Sequence, residues 1–371
     1  MSGWRGRRVF LTGHTGFKGS WLALWLHRLG AEVTGFALPP PTDRSLFEQA
    51  RVAELVTDVE GDVRDLDAVL AAMTAARPEV VFHLAAQPLV RLSYEQPVET
   101  YATNVMGTVH VLEAMRRVGG VAAAVCITSD KCYENREQVW PYRETDPMGG
   151  HDPYSSSKGC AELIVTAYRQ SFFAQGPALA SVRAGNVIGG GDYARDRLVP
   201  DLVRAFECGV GPAIRCPGAV RPWQHVLEAL GGYLLIAERL LACEPGLAGA
   251  WNLGPADEDA RPVSWIVDRM RAAWGSGAAE PTDWEGATPH EAGLLRLDIS
   301  KARALLGWSP SLPLGEAIDW IVAWHKAVAK GEDPRAVTAA QIDAYAARAA
   351  AAGVPQAGSS AGADPLKAVQ A

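Results

Sequence analysis

The chain has 371 residues, 48% of them apolar, and a formal net charge of −7. That suffices for one large domain or two moderate ones, and an acidic balance with no long basic stripe argues against a nucleic-acid partner. No run reaches the roughly 18 apolar residues of a membrane span, and the start, "MSGWRGRRVFLTGHTG", lacks the apolar centre of a signal peptide, so a cytoplasmic protein is expected.

In chain order, strand-like and helix-like segments alternate. "RRVFLTG" reads as a strand ending in glycine. "FKGSWLALWLHRLG" follows with apolar residues at helical spacing and Gly30 as its stop. "AEVTGFAL" is a second strand, closed by Pro39, Pro40 and Pro41. "VEGDVRD" and "EVVFHLAA" read as further strands, with the helix "LDAVLAAMTAAR" between them. "ETYATNVMGTVHVLEAMRRVGG" is a long helix, "VAAAVCITS" a strand, and "PYSSSKGCAELIVTAYRQSFF" the next helix. Alternation of this kind indicates parallel βαβ units, hence an α/β, Rossmann-type doubly wound sheet.

After about Arg183 glycine, proline and arginine become frequent. A smaller, interleaved substrate-binding lobe is expected, giving a dinucleotide domain over 1–183 with later segments returning to it, a second lobe over 184–330, a helix over 331–350 and a mobile tail over 351–371. Asp298 and Ser300 read as a helix cap, and Trp223 as core. The six cysteines (Cys126, Cys132, Cys160, Cys208, Cys216, Cys243) form no C-x-x-C pair and have no histidine at ligand spacing. Reduced thiols and no metal are expected, with Cys132 as packing.

"LTGHTGFKGS" carries Gly13, Gly16 and Gly19 directly after a strand and at the opening of a helix. Glycine there permits a tight turn and close backbone approach, and the helix N-terminus offers free N–H groups to a pyrophosphate. The G-x-x-G-x-x-G spacing resembles the extended short-chain dehydrogenase/reductase superfamily. That resemblance implies a dinucleotide held by Gly13, Thr15, Gly16, Phe17, Lys18 and Gly19, and by Asp62 and Val63 near the adenine. It adds Leu84, Ala85, Ala86 and Gln87 of "HLAAQ", and the helix residue Asn104. The acid that usually ends the second strand and holds the ribose of NAD is missing: "GFALPPPTDR" has no acid before Asp43, and Arg44 could face a 2′-phosphate. By this test NAD and NADP both stay open.

Tyr154 and Lys158 stand four apart in "PYSSSKG" and share a helix face. An ammonium beside a phenol lowers its pKa from about 10, which suits proton removal from an alcohol that gives up hydride. Ser129, at the end of the preceding strand, supplies a hydroxyl to orient that alcohol. Both Tyr154 and Lys158 are also expected to touch the cofactor.

A simple dehydrogenase has no use for Asp130 and Lys131, directly after Ser129. The sugar-nucleotide 4,6-dehydratases of the superfamily carry an acid–base pair there, commonly Asp-Glu; here it is Asp-Lys. "TSDKCYEN", "GNVIGGGDYARDRLVPD", "RPWQHVLEALGGYL" and "HEAGLLRLDISKARALLGW" extend the resemblance from about Arg8 to about His325. It implies NAD as cofactor, CDP-glucose as substrate, a homodimer or homotetramer, and a hydro-lyase of deoxysugar and cell-surface polysaccharide synthesis. The implied cycle is redox-neutral. C4 is oxidised with Tyr154 as base, water is lost across C5–C6, and the hydride returns to C6. Lys131 would be the base at C5 and Asp130 the acid at the C6 hydroxyl, the two titrating as one coupled unit. Asn186, Arg197 and Arg221 would lie against the sugar diphosphate, where the planar guanidinium fork suits phosphate. Two alternatives stay open: a 4-epimerase or reductase of the same superfamily, and a non-catalytic NAD-binding protein.

Overall fold

The computed structural model describes residues 3–286 and 292–355. The chain runs β1 (Arg8–Thr12), α1 (Phe17–Arg28), β2 (Glu32–Ala37), α2 (Leu46–Gln49), β3 (Thr57–Glu60), α3 (Leu66–Ala76), β4 (Val80–His83), α4 (Val90–Glu95), α5 (Pro97–Tyr101), α6 (Gly107–Val118), β5 (Ala123–Ile127), α7 (Pro153–Ser171) and β6 (Ala178–Ala184). It continues with β7 (Asn186–Ile188), α8 (Leu198–Cys208), β8 (Ala213–Ile214), β9 (Val220–His225), α9 (Val226–Leu241), β10 (Ala250–Leu253), β11 (Ala260–Pro262), α10 (Val263–Trp274), β12 (Thr282–Asp283), α11 (Ser300–Leu306), α12 (Leu314–Ala329) and α13 (Pro334–Ala351).

Seven strands form one parallel sheet in the order β10-β6-β5-β4-β1-β2-β3. Its central strands β1, β4 and β5 are apolar on both faces, as a sheet covered on both sides requires, while the edge strand β3 is largely exposed. Val9 and Leu11 of β1, Val80 and Phe82 of β4, and Val125 and Ile127 of β5 face one core, with α1 and α9. The alternate residues Phe10, Val81, Ala124 and Cys126 face the other, with α3, α6 and α7. Helix α1 is apolar nearly all round because residues Gly19 to Leu26 are all buried, and Trp25 meets Tyr345 of α13 edge-on at 5.8 Å. The chain leaves β1 towards β2 on one side and reaches β4 on the other, so a crevice opens at the carboxyl ends of β1 and β4.

A second, three-stranded sheet, β11-β9-β7, carries α8, α10 and α12 around Phe206, Trp223, Ile266 and Ile318. Trp223 is core as expected, its indole N–H donating to the Arg261 carbonyl. β10 leaves this region to pair with β6 as an edge of the large sheet.

Three expectations are corrected. The strand expected over "VEGDVRD" ends at Glu60, because the Asp65 carboxylate caps α3 and commits 61–65 to a turn. The helix expected through Asn104 is broken by a π turn over Ala102–Met106. The tail expected from 351 is packed as far as Pro355, with Val354 buried, and the remainder of it lies outside the described residues. Asp298 does bond the Ser300 N–H ahead of α11, as expected.

Candidate active site

The glycine loop leaves β1 at Gly13, whose φ of +76° and contact with β4 exclude any side chain: a Cβ there would stand 2.7 Å from the Ala85 nitrogen. At Gly19 a Cβ would meet the Gly13 carbonyl at 2.0 Å, so only glycine lets α1 start against the loop. Gly16 is the N-cap and makes no side-chain cap, and the first turn of α1 holds no acid. Its leading N–H groups are thus left to an anion. Thr12 Oγ1 accepts from the Leu84 and Ala85 nitrogens and bonds His83, tying the ends of β1 and β4 together.

A cavity of about 290 Å³ opens over this loop. Gly13, Thr15, Gly16, Phe17, Lys18, Gly19, Asp62, Val63, Leu84, Ala85, Ala86, Tyr154 and Lys158, of the residues named from the sequence, line it. Gln87 and Asn104 do not. The Asn104 amide donates to the Gln87 carbonyl (3.0 Å) and the Ser157 hydroxyl (2.9 Å), and its oxygen accepts the Gln87 N–H at 2.8 Å. Asn104 therefore fixes the cavity floor and α7 from behind. The side of the cavity past β2 is lined by Leu38, Pro39, Thr42 and Ser45 with no carboxylate among them. Arg44 is not turned to it; its guanidinium pairs with Glu207 at 3.0 Å and lies 4.5 Å from the Tyr193 ring centre. Asp62 is held below the usual carboxylate range, chiefly by hydrogen bonds from Arg64.

β5 delivers Thr128, Ser129, Asp130 and Lys131 to the same crevice. Ser129 caps a short 3-10 turn, accepting the Lys131 N–H at 3.2 Å and donating to Asp130 Oδ1 at 3.0 Å. Asp130 is 3% exposed and its other carboxyl oxygen has no hydrogen-bond partner among the described residues. Burial pushes its pKa up against the opposing charge of Lys131.

Asp152 caps α7 and Pro153 opens it, which sets Tyr154 in the first turn and Lys158 one turn on. The expected lowering of the phenol is not found: burial raises Tyr154 to about 12, opposed first by its hydrogen bond with Ser129. Lys158 does not offset this: burial pulls its amine down to about 8, and it donates to the Ile127 carbonyl at 3.3 Å.

Behind this set stands a buried carboxylate that the sequence reading missed. Glu162 extends the Tyr154–Lys158 face by one more turn. It accepts from Thr128 Oγ1 (2.5 Å), Ser181 Oγ (2.8 Å) and the Arg183 guanidinium (2.8 Å). Burial raises its pKa, but Arg183 and these bonds win and hold it low. Its four-residue spacing from Lys158 was the available signal.

A second cavity of about 620 Å³ adjoins the first. It gathers Ser129, Asp130, Lys131, Tyr154, Asn186, Arg197 and Arg221, which the sequence placed together. Arg197 pairs with Asp192 at 3.0 Å, and Arg221, almost fully buried, donates to the Val220 carbonyl. The structure adds Arg91 and Arg215, which share Asp196 at 3.1 and 3.2 Å and lie 5.5 and 5.4 Å from the Trp284 ring centre. The two cavities meet at Phe17, Lys18, Pro88, Thr128, Tyr154, Asp192 and Arg197, which line both. The loop, its close glycines and a floor of backbone fit a dinucleotide.

Residues 9–254 match the NAD dependent epimerase/dehydratase family. A CDP-glucose 4,6-dehydratase of Salmonella typhimurium is 56% identical over 348 residues, covering 92% of this chain and 97% of the relative. The structure of a UDP-glucose 4-epimerase of Thermus thermophilus, solved with NAD, superposes with a TM-score of 0.76 at 26% identity, over 86% of this chain and 99% of that one. That of a dTDP-glucose 4,6-dehydratase of Bacillus anthracis, also with NAD, gives 0.73 at 19% identity, over 89% and 100%, a likeness of fold.

Proposed function

The chain belongs to the NAD dependent epimerase/dehydratase family, and on that premise we propose that it is a CDP-glucose 4,6-dehydratase. It converts CDP-D-glucose to CDP-4-dehydro-6-deoxy-D-glucose and water. One observation carries the reaction type: a buried acid and an amine, Asp130 and Lys131, share one cavity with Ser129 and Tyr154. A 4-epimerase needs the last two and leaves the first two idle. The likeness to the Salmonella enzyme carries the substrate.

NAD would be held over the glycine loop by the cavity that Gly13, Gly16 and Gly19 line, and when bound would supply the hydride acceptor and donor of the cycle. The chain's own groups move the protons. Tyr154, acting as its phenolate, takes the proton of the C4 hydroxyl, oriented by Ser129, and Lys158 stands one turn along the same helix in the cofactor cavity, its amine on the Ile127 carbonyl. The resulting 4-ketone acidifies C5–H, and Lys131 removes that proton. Asp130, whose pKa burial raises, gives its proton in its acid form to the departing C6 hydroxyl, so the C6–O bond breaks with loss of water. Lys131 then returns a proton to C5. Arg197, Arg221 and Asn186 hold the sugar diphosphate.

The exposed apolar residues Tyr94, Val98 and Tyr101 lie on α4 and α5, Met106 in the π turn ahead of α6, Leu163 on α7 and Phe172 directly after it. We infer that α6 and α7 pair with a second copy, giving at least a homodimer. All six cysteines are free, which fits a reducing, cytoplasmic setting. The test is incubation with CDP-glucose and with its dTDP, GDP and UDP counterparts. An alkali-induced enone absorbance with CDP-glucose, without net reduced nicotinamide, is the expected result. Turnover of another nucleotide in its place, or epimerisation alone, overturns the assignment.

A further inference from the structure

Glu162 is buried on α7, one turn beyond Lys158 and two beyond Tyr154, and lines neither cavity. Its partner Arg183 is fixed from the far side, donating to the Tyr133 hydroxyl at 2.7 Å and to the Glu144 carbonyl at 3.1 Å. A buried ion pair is a weak source of stability, since apolar side chains of similar volume often serve as well. Its placement gives this one a use towards the reaction.

Two head groups converge on the end of β5. The Lys158 amine donates to the Ile127 carbonyl, and the Glu162 carboxylate accepts from Thr128, the next residue. Opposite charges one helical turn apart attract, and burial removes the water that would screen them. The titratable groups facing the amine are Tyr154 and Glu162 on α7, Cys126 on β5, Cys132 after it, His83 on β4 and Lys18 on α1. Those facing the carboxylate also include Arg183 on β6 and Arg169 on α7. Burial brings the amine down, and Cys126, Glu162 and Cys132 oppose that fall. Burial also pushes both thiols up, Cys126 to about 12, so neither is charged near neutral pH. Of the three, Glu162 is the one that is ionised there, because Arg183 and its hydrogen bonds hold it low against burial.

The Tyr154–Lys158 pair can lose its first proton from either member. Loss from the phenol leaves phenolate beside ammonium, which can take the proton of the C4 hydroxyl. Loss from the amine leaves phenol beside amine, which cannot. A negative charge nearer the amine than the phenol favours the first form. We propose that Glu162 is a positioning residue for C4 oxidation: its buried carboxylate keeps the proton of the Tyr154–Lys158 pair on the amine, so that phenolate is the form that meets the substrate. The proposal rests on the NAD-dependent reading above and adds to it a group that touches neither substrate nor cofactor.

Glu162→Gln can lose the charge and keep the contacts. Its oxygen can face Ser181 and Arg183, and its amide can donate to Thr128, whose own proton turns to the Val182 carbonyl at 3.3 Å. The test is the rate of C4 oxidation against pH, in single turnovers of the NAD-loaded full chain with CDP-6-deoxy-D-glucose. That compound has no C6 hydroxyl to lose, so reduced nicotinamide accumulates and its absorbance reads oxidation alone. The wild-type rate should rise with pH to a plateau. In Glu162→Gln the plateau should fall about tenfold and the midpoint move to lower pH, as for one charge at helical-turn distance in a partly screened interior. The two proteins should converge at the acid end, where both members of the pair hold their protons. Glu162→Asp keeps the charge and should keep the wild-type midpoint. A deficit of one size at every pH, or the same profile in Glu162→Asp and Glu162→Gln, would make the carboxylate a packing group and overturn the proposal. Should Glu162→Gln not fold with Arg183 left unpaired, the double variant Glu162→Gln/Arg183→Met removes both charges together and is held to the same outcomes. Failure of the wild type to reduce bound NAD with this compound is a separate result and sinks the NAD-dependent reading itself.

Discussion

Asp130 and Lys131 differ from Ser129, Tyr154 and Lys158 in when their chemistry falls. Their proposed work follows C4 oxidation, so removing them should leave that oxidation intact. Lys131→Met keeps an unbranched stem of similar bulk. In a single turnover with CDP-glucose it is expected to develop the absorbance of reduced nicotinamide and then stall, with product formation down about 10²–10⁴-fold. Solvent deuterium exchange at C5 should fall with it. Asp130→Asn should retain some C5 exchange while losing water slowly, and Tyr154→Phe should show no absorbance change at all. If Lys131→Met develops no reduced nicotinamide, the lysine serves oxidation or binding instead. The pH dependence has a definite sign. Burial raises the Asp130 pKa, so the acid keeps its proton further up the pH scale than an exposed carboxyl and loses it as pH climbs through the raised value. Elimination in the wild type should therefore slow on the alkaline side, a limb that Asp130→Asn should lack.

Among elements, the glycine loop separates two roles that the sequence pattern runs together. A Cβ on Gly16 meets nothing nearer than the Gly13 carbonyl at 3.5 Å, whereas one on Gly19 meets that carbonyl at 2.0 Å. Gly16→Val should keep its melting temperature and lose NAD affinity in calorimetry, because its bulk faces the cavity. Gly19→Ala should lose both, because α1 must move off the loop. Unchanged affinity in Gly16→Val would remove the loop from the cofactor site. The loop, the strands and the Tyr154–Lys158 face were legible because each is encoded within a few residues of itself. The break at Asn104 was not, since nothing local marks a π turn. Nor was the joining of Arg91 to Arg215 and Trp284, because α4 and the second lobe meet only after folding. The ionisation of Tyr154 was misjudged for a similar reason: spacing told which side chains share a face, while burial decided which way the pKa moved.

The molecule as a whole hides several imidazoles. Burial lowers His83, His225 and His325 to about 3 each. An unfolded histidine takes its proton near 6.5, so the unfolded chain binds more protons than the folded one between about 3 and 6.5. Stability from these rings is complete above that window and is lost as pH falls through it, by about 1 kcal/mol per ring at pH 5.5. Asp130 and Glu228, raised by burial, work in the opposite direction. His325 lies between Tyr193 and Trp324 at ring separations of 6.0 and 5.0 Å. His325→Phe keeps an aromatic ring there and should flatten the fall in melting temperature between pH 7 and 5.5; an unaltered slope would exclude this ring as a cause. Light scattering at micromolar concentration should give at least a dimer, and Leu163→Glu should shift it towards monomer.

β10 borders β6 in the large sheet although some 65 residues, α9 and much of the second lobe among them, come between them in the chain. During synthesis β6 therefore emerges long before its neighbour, with one row of N–H and C=O groups unpaired. The sheet cannot be finished by adding segments in order; it waits for a distant stretch to double back, a slow kind of closure. A chain halted at about residue 245 would carry both catalytic strand ends and most of both cavities, yet present an open apolar border to its neighbours. Such a fragment should precipitate where the full chain stays dispersed, and a ribosome paused in the second lobe would hold out the same adhesive border.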